Sequence, residues 1–423
     1  MATAYSGTVV IGGGIAGLAT AAALYHIAGV SDVHVLERSS ARDFESAEAG
    51  AAAQLGPNGL RALRAIGGTD CVDRVLNAGT ALRGNQVFMP GGNIMLIPEL
   101  SQEETGLPQV LIRWGVLRQI LKDLLSKPRD GTVPPTIQTD VNPSTGYRVS
   151  SENTFVQLWN AQGVLEREPP MIVAADGIHS SFANMVAATP PGTACHNLKD
   201  NGRVNIKAVI PVSIQFPGYQ AGCACTYFAP DGAVACFAGP AGEGFTYWAI
   251  SIADSKEDAG ETVRFLQATD ELDLERVHRK VLERLKSLQV PECQVAIDLV
   301  QVTKPERIYV RRSEENKEIV SCLFASNVVL VGDAAHAMSS TYGQAANFAL
   351  EDAATLGYFL QKAETMESAM QQYSSARLNR CEEMKRKSAE RVERQRNGEA
   401  TEDVAKWIMA WNAPSDEGGG TPL

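Results

Sequence analysis

The stretch Val9-Val10-Ile11-Gly12-Gly13-Gly14-Ile15-Ala16-Gly17-Leu18, followed through to Leu36-Glu37-Arg38, decides the fold. Thr8 to Ile11 reads as a buried strand, Gly12-x-Gly14-x-x-Gly17 as a tight turn, and Leu18 to Ala28 as a helix of small residues. A second strand, Val33 to Leu36, then ends on an acid. Each glycine has its own task. Gly12 turns the chain, Gly14 lets a pyrophosphate approach bare backbone, and Gly17 lets helix and strand pack closely. The helix N-terminus offers unpaired N–H groups and the positive end of its dipole to the phosphates. Glu37 follows Gly17 by twenty positions, where a carboxylate accepts hydrogen bonds from ribose hydroxyls and repels a 2′-phosphate. The expected ligand is therefore a dinucleotide with free ribose hydroxyls, and at this point FAD and NAD are both open.

The chain has 423 residues, long enough for two units sharing an interface, and a net charge of −11. That balance argues against nucleic acid, which requires a basic surplus. Eight cysteines show no CxxC and no zinc spacing, so they are read as buried, reduced thiols without a metal. Cys223 and Cys225 are read as facing opposite sides of a strand. The first strand begins so near the start that no signal peptide is expected. The apolar run from Val9 to Val30 is punctuated by glycines and is not read as a membrane span. A reducing, cytoplasmic setting is the expectation.

Further along, Ala49 to Leu55 and Gly56-Pro57-Asn58-Gly59 suit backbone passing close to something flat, with a helix expected from Leu60 to Ile66. Gln86 to Phe88 and Asn93 to Leu96 predict a hairpin. Arg113 stands at the mouth of a helix whose apolar positions are 116, 117, 120, 121 and 124, where it suits a cationic contact to a cofactor. Thr154 to Trp159 is read as a strand, and Met171 to Ala175 as another running into Asp176-Gly177-Ile178-His179-Ser180. Residues 203–252 carry β-rich runs (204–212, 223–228, 233–237 and 245–252) that predict an antiparallel sheet. A helix is expected over 259–288. Val328 to Val331 is a third buried strand ending in Gly332-Asp333, followed by His336 and a helix opened by Gly343-Gln344-Ala345-Ala346-Asn347. Residues 366–397 predict one or two charged helices, with the Arg and Lys after Tyr373 read as water-facing. Val404, Trp407, Ile408 and Trp411 share a helical face that docks on the body of the protein.

Three strand-ended motifs in this order, GxGxxG…Glu, Ala-Asp-Gly-Ile-His-Ser and Gly-Asp-Ala-Ala-His…Gly-Gln-x-x-Asn, resemble the single-component FAD-dependent aromatic hydroxylase class, which includes salicylate hydroxylases and fungal and zeaxanthin-epoxidase-like proteins. The likeness runs from about Thr8 to Arg380 and favours FAD over NAD. It implies an α/β fold: a Rossmann-like FAD-binding domain (1–75, 108–185, 320–365), an interleaved β-sheet substrate domain (76–107, 186–319), C-terminal helices (366–411) and a flexible tail (412–423).

By the same resemblance, Gly12, Gly14 and Gly17 hold the pyrophosphate and Glu37, with Arg38 beside it, the adenosine ribose. Gly50 and Arg113 contact the cofactor, Asp176 lies on the pyrophosphate side, Asp333 binds the ribityl chain, and Gly343, Ala346 and Asn347 approach the flavin ring. Lys207 and Tyr227 fall roughly where fungal relatives carry catalytic or substrate-orienting groups. The implied reaction is reduction by NADH or NADPH, formation of a flavin C4a-hydroperoxide with O2, and transfer of one oxygen atom to a small aromatic, indolic or terpenoid substrate, by a monomer or homodimer. Departures are Ala337 and Ser340 where relatives have proline, Ala345 for Gly and Ala183 for Arg. The lost prolines favour an FAD oxidase or reductase as the alternative, with a flavin-binding redox sensor as a third reading.

Overall fold

The computed structural model describes residues 5–47, 50–88, 93–141, 147–149, 156–159, 165–187, 198–213, 219–228, 234–253, 274–287, 293–338, 342–396 and 404–415. Val9–Ile11 is wholly buried and lies between two parallel neighbours, His34–Leu36 and Ile172–Ala174. Ile172–Ala174 in turn pairs in parallel with Val328–Leu330. The three strands singled out by their motifs thus stand side by side in a six-stranded sheet, completed by Phe324–Ala325 and Thr136–Gln138. Because they run the same way, their carboxyl ends all open at one edge of the sheet. Helix Ile15–His26 covers the sheet and packs on helix Ala345–Lys362, where a Cβ on Gly357 would stand 3.0 Å from Ala23 Cβ. Small residues at this contact let the two helices approach closely.

A second sheet has seven strands in the order Tyr309–Asn316, Leu198–Ile210, Thr246–Ala253, Val234–Pro240, Cys223–Phe228, Gly84–Phe88 and Ile94–Pro98. It is antiparallel except where Gly84–Phe88 meets Cys223–Phe228. The predicted hairpin at 86–96 is therefore real and joins the sheet built from 198–253. Along Thr246–Ala253 burial alternates, with Thr246, Trp248, Ile250 and Ile252 buried and their neighbours half-buried. Trp248, Ile250 and Ile252 share a core with helices Leu274–Ser287 and Cys293–Gln301, and Trp248 Nε1 donates to Thr303 Oγ1 at 3.0 Å. Between the two large sheets lies a small antiparallel one of Ala52–Leu55, Val110–Arg113 and Thr80–Ala81.

Several sequence expectations need correction. The helix placed at 60–66 starts at Pro57, whose fixed φ suits a first turn, and runs to Ala78 with a break at Gly68 (φ 74°). Of the helix placed at 259–288, the part before 274 lies outside the described residues and Leu274–Ser287 is helical. Cys223 and Cys225 sit two positions apart on one strand and so share a face, since strand side chains alternate with period two. Both are buried, and no three His, Cys, Asp or Glu side chains are grouped to hold a metal among the described residues. The tail is not free from its first residue, because Ala413 packs on the main core. Residues 416–423 lie outside the described residues. Among the described residues no helix is long and apolar enough to cross a membrane.

The largest departure concerns helix Met366–Arg396. Arg377 and Arg380, read as water-facing, are buried. Arg377 donates to Asp352 Oδ1 and Glu351 Oε2, both at 2.6 Å, and Arg380 donates to both oxygens of Glu351 at 2.6 and 2.8 Å. Asn58 Nδ2 donates to Glu351 Oε1 at 2.7 Å, and Arg380 also reaches the carbonyl of Ile408 at 3.1 Å. Both guanidinium groups lie over the Phe348 ring, and Arg380 also over Trp407. This network fastens the C-terminal helices, including Val404–Met409, to the helix that follows Gly343. Removing one member leaves buried charge without a partner. Arg377→Met should cost about 3–5 kcal/mol of unfolding free energy in urea titrations; a loss under 1 kcal/mol would mean that the network contributes little.

Candidate active site

At the shared edge of the parallel sheet the backbone approaches too closely for side chains. A Cβ on Gly12 (φ 103°) would stand 2.4 Å from the Ala175 carbonyl oxygen, and one on Gly17 only 1.8 Å from that of Gly12. Gly14 differs, since no atom comes within 4 Å of its Cβ position, leaving open space beside bare backbone at the helix N-terminus. Glu37 closes this turn from the next strand, accepting from Gly13 N at 2.6 Å and Ser39 N at 2.7 Å. Burial works against its charge, but these hydrogen bonds outweigh it and hold the carboxyl below its usual range. Arg38 is exposed. Arg118, which sequence reading missed, is buried over Phe44 and Trp114 and donates to the carbonyls of Asp43 and Ser46 at 3.1 Å. Its period in the helix after Arg113 gave no sign of this, because its partners lie far away in the chain, in the short helix Ala41–Glu45 and at its C-cap.

Asp176 lies against the same turn, its Cα 3.4 Å from the Cβ position of Gly12. Its Oδ2 accepts from Ser181 N at 3.1 Å, its Oδ1 is buried without a hydrogen-bond partner, and burial raises the carboxyl above its usual range. The third strand delivers Gly332 (φ 61°), whose Cβ would stand 2.7 Å from Ala16 Cβ, so Asp333 follows directly beside the first helix turn. The Asp333 side chain is open to solvent yet ringed by protein. The protein packed around it raises its carboxyl, against His336, Lys207 and Arg311, which lower it. Gly12, Glu37, Asp176 and Asp333 thus converge on one edge.

The remaining predicted residues make contacts of their own. Gly50 (φ 83°) packs under Trp114 and donates from its N to Tyr309 Oη at 2.9 Å. Gly343 (φ 63°) faces Gln54, and Ala346 packs on the main core. Asn347 is fully buried. Its Oδ1 accepts from Gly56 N and its Nδ2 donates to the Gln54 carbonyl, both at 2.9 Å, so its amide serves to join two loops. Arg113 is buried, forms an ion pair with Glu243, and stacks on Phe245 at 4.1 Å, while its Nε has no partner. Lys207 is half-buried in an interior strand of the long sheet, between Ala249 and Tyr309. Tyr227 is not brought to it. It lies in the helix-covered core, stacked on Phe88 at 4.4 Å. A separate open cavity of about 670 Å³, lined by Thr80, Tyr219, Gly222, Gly242, Phe245 and Thr246, includes none of the predicted site residues.

The open space at Gly14 and the two buried, unpartnered atoms Arg113 Nε and Asp176 Oδ1 are features that a phosphate- and hydroxyl-bearing cofactor fits. Residues 5–388 match the sequence model of the FAD binding domain. The chain belongs to the FAD-binding domain family. Among relatives, this FAD-binding chain is 25% identical to aurachin C monooxygenase/isomerase of Stigmatella aurantiaca, over 88% of this chain and 85% of that protein. It is 26% identical to 3-amino-4-hydroxybenzoate 2-monooxygenase of Streptomyces cremeus, over 90% and 85%. The crystal structure of Klebsiella pneumoniae HpxO with FAD and uric acid has the same fold, with a TM-score of 0.70, 22% identity and coverage of 91% and 87%. The FAD-binding chain is thus an enzyme of the single-component FAD-dependent monooxygenase class.

His336 ties this site to the buried network, donating to Asp352 Oδ2 at 2.7 Å. Burial disfavours its charge, but Asp352 and Cys381 outweigh burial and raise it well above 6.5. The folded chain therefore keeps a proton that the unfolded chain releases, and the resulting stabilisation is complete below pH 6.5 and lost as pH rises through the folded value. Unfolding free energy should fall as pH is raised from 6.5, by up to about 1.4 kcal/mol per pH unit, and His336→Gln should flatten that slope. An unchanged slope in the variant would assign the effect elsewhere.

Proposed function

We propose that this FAD-dependent monooxygenase uses NADH or NADPH and O2 to hydroxylate or epoxidise a small aromatic, indolic or terpenoid substrate. The observation that carries the reading is the convergence of Gly12, Asp176 and Asp333 on one sheet edge, with Lys207 of the long sheet as an electrostatic neighbour of Asp333. In this reading the lobe around the parallel sheet holds the cofactor and the lobe around the long sheet holds the substrate. Gly12 to Gly17 and the following helix N-terminus receive the pyrophosphate, and Glu37, already ionised and fixed by two N–H groups, turns its remaining lone pairs to the ribose. Asp333 accepts from the ribityl hydroxyls. Gly50, Gly343 and Ala346 border the ring, and Asn347 keeps their loops in register. Arg113 Nε and Asp176 Oδ1 gain the partners they lack. The bound cofactor supplies electron transfer from the nicotinamide and activation of dioxygen. The protein orients the substrate and keeps bulk water from the reacting atoms.

Purified protein should be yellow, and aromatic compounds that stimulate NAD(P)H oxidation should gain one oxygen atom, as read by mass spectrometry. Peroxide release without oxygenated product would instead establish an oxidase. Asp333→Ala and Arg113→Ala should both lower flavin occupancy; full occupancy in both would remove these contacts from the reading.

A further inference from the structure

Strand register assigns every side chain of the long sheet to one of two faces. One row of paired residues runs Phe88, Tyr227, Cys236, Ile250, Ile206 and Val310, and all of it belongs to the core beneath the helices. Shifted by one residue, the next row runs Val87, Thr226, Phe237, Ala249, Lys207 and Tyr309, and it must point the other way. That second face is the one that meets the cofactor lobe. Tyr309 Oη accepts from Gly50 N at 2.9 Å, and a Cβ on Gly239 would stand 2.8 Å from Leu111 Cδ2.

Between these anchors the row carries one small side chain, and Phe237 and Tyr247 pack beside it on the cluster of Leu82, Leu111, Ala224 and Ala241. Ala249, with only a methyl group, is flanked along the row by Lys207 and Phe237. Tyr247 stands two positions before Ala249 on the same strand, hence on the same face, opposite Val209 and Gly239. Its ring centroid is 6.1 Å from that of Phe237. Lys207, Phe237, Tyr247 and Ala249 are all half-buried, and the Tyr247 hydroxyl has no hydrogen-bond partner among the described residues. We propose that the recess over Ala249 seats the ring of a flat aromatic substrate, with Phe237 as its wall and with Tyr247 and Lys207 donating to an acceptor oxygen on that ring. Tyr247, and not Tyr227, is then the substrate-positioning tyrosine.

Burial raises the Tyr247 phenol, keeping it a neutral donor; burial and then Arg311 lower the Lys207 ammonium against Asp333, so an anionic oxygen beside it would favour its charge. A phenolate, carboxylate or ring carbonyl satisfies both groups. An arene without such an oxygen leaves them unpaired, at a cost in affinity. The size of the residue at 249 sets which rings enter, because a longer side chain would fill the recess.

The inference rests on the proposed function, and its test separates the two. The FAD-loaded protein would be titrated with 4-hydroxybenzoate, 4-hydroxyquinoline and indole, following the visible difference spectrum of the bound flavin. Wild type should bind at least one oxygen-bearing compound more tightly than indole. Tyr247→Phe should weaken that compound by roughly three- to tenfold while leaving indole unchanged, the size of one lost hydrogen bond. Ala249→Leu should weaken all three, and Tyr227→Phe should weaken none. Each variant should keep wild-type flavin occupancy. Protein that takes up no FAD would defeat the functional reading itself. If the loaded enzyme binds neither oxygen-bearing compound, if Tyr247→Phe binds as wild type, or if Tyr227→Phe carries the loss, the recess is wrongly assigned.

Discussion

The approach of Gly17 to the Gly12 carbonyl is the constraint on which the molecule depends. At 1.8 Å from that oxygen, no Cβ fits without moving backbone. The helix from Ile15 can therefore start close enough to the strand to aim its first N–H groups into the open space at Gly14. The same economy recurs where the third strand ends, since Gly332 meets Ala16 and leaves no room for a side chain. Parallel pairing does the rest. Strands that run together end together, so Glu37, Asp176 and Asp333 arrive at one edge although the chain between them makes long excursions.

Such an edge carries charges that need countering below it. Asp352 accepts from Gly332 N at 2.8 Å, from His336 and from Arg377, so the loop bearing Asp333 is fixed from beneath by a carboxylate that is itself neutralised. Glu351 does the same for the turn at Asn58. The C-terminal helices thereby set the position of loops at the sheet edge, and Tyr373 Oη donates to the Leu330 carbonyl at the end of the third strand at 2.9 Å. Burying these groups costs desolvation, and the geometry recovers it by giving each carboxylate two or more donors. What the network adds is placement: Asp352 joins the Asp333 loop to Arg377, and Glu351 joins Asn58 to Arg377 and Arg380.

Local chemistry was legible in the sequence wherever sterics act within a few residues. The glycine turn, the acid after the second strand and the Asp-Gly and Gly-Asp strand ends all belong to that kind, and so did the family. Features set by pairing across the chain were not legible. Tyr227 and Lys207 both sit in β-rich runs, but only register shows that Tyr227 shares a face with Cys236 and Ile250 while Lys207 shares one with Ala249 and Tyr309. Arg377 and Arg380 carry no local mark of burial among the many charges of their helix. Their partners Glu351 and Asp352 lie in a different helix, and only packing brings the four together.

The two large sheets divide the work in a way that follows from their construction. The parallel sheet offers its edge, so its contribution is made by backbone and by residues at strand ends, where almost any change moves the chain itself. The long sheet offers a face, and its contribution is made by side chains that alternate in and out of the cleft. Lys207, Phe237, Tyr247 and Ala249 can each be exchanged without altering a ladder hydrogen bond, because those belong to the backbone. The anchors Gly50 to Tyr309 and Gly239 to Leu111 hold face and edge together at the ends of the row. A fold made this way can keep one cofactor grip constant while the recess between those anchors is recut, and the side chains around Ala249 are where such recutting has least structural cost.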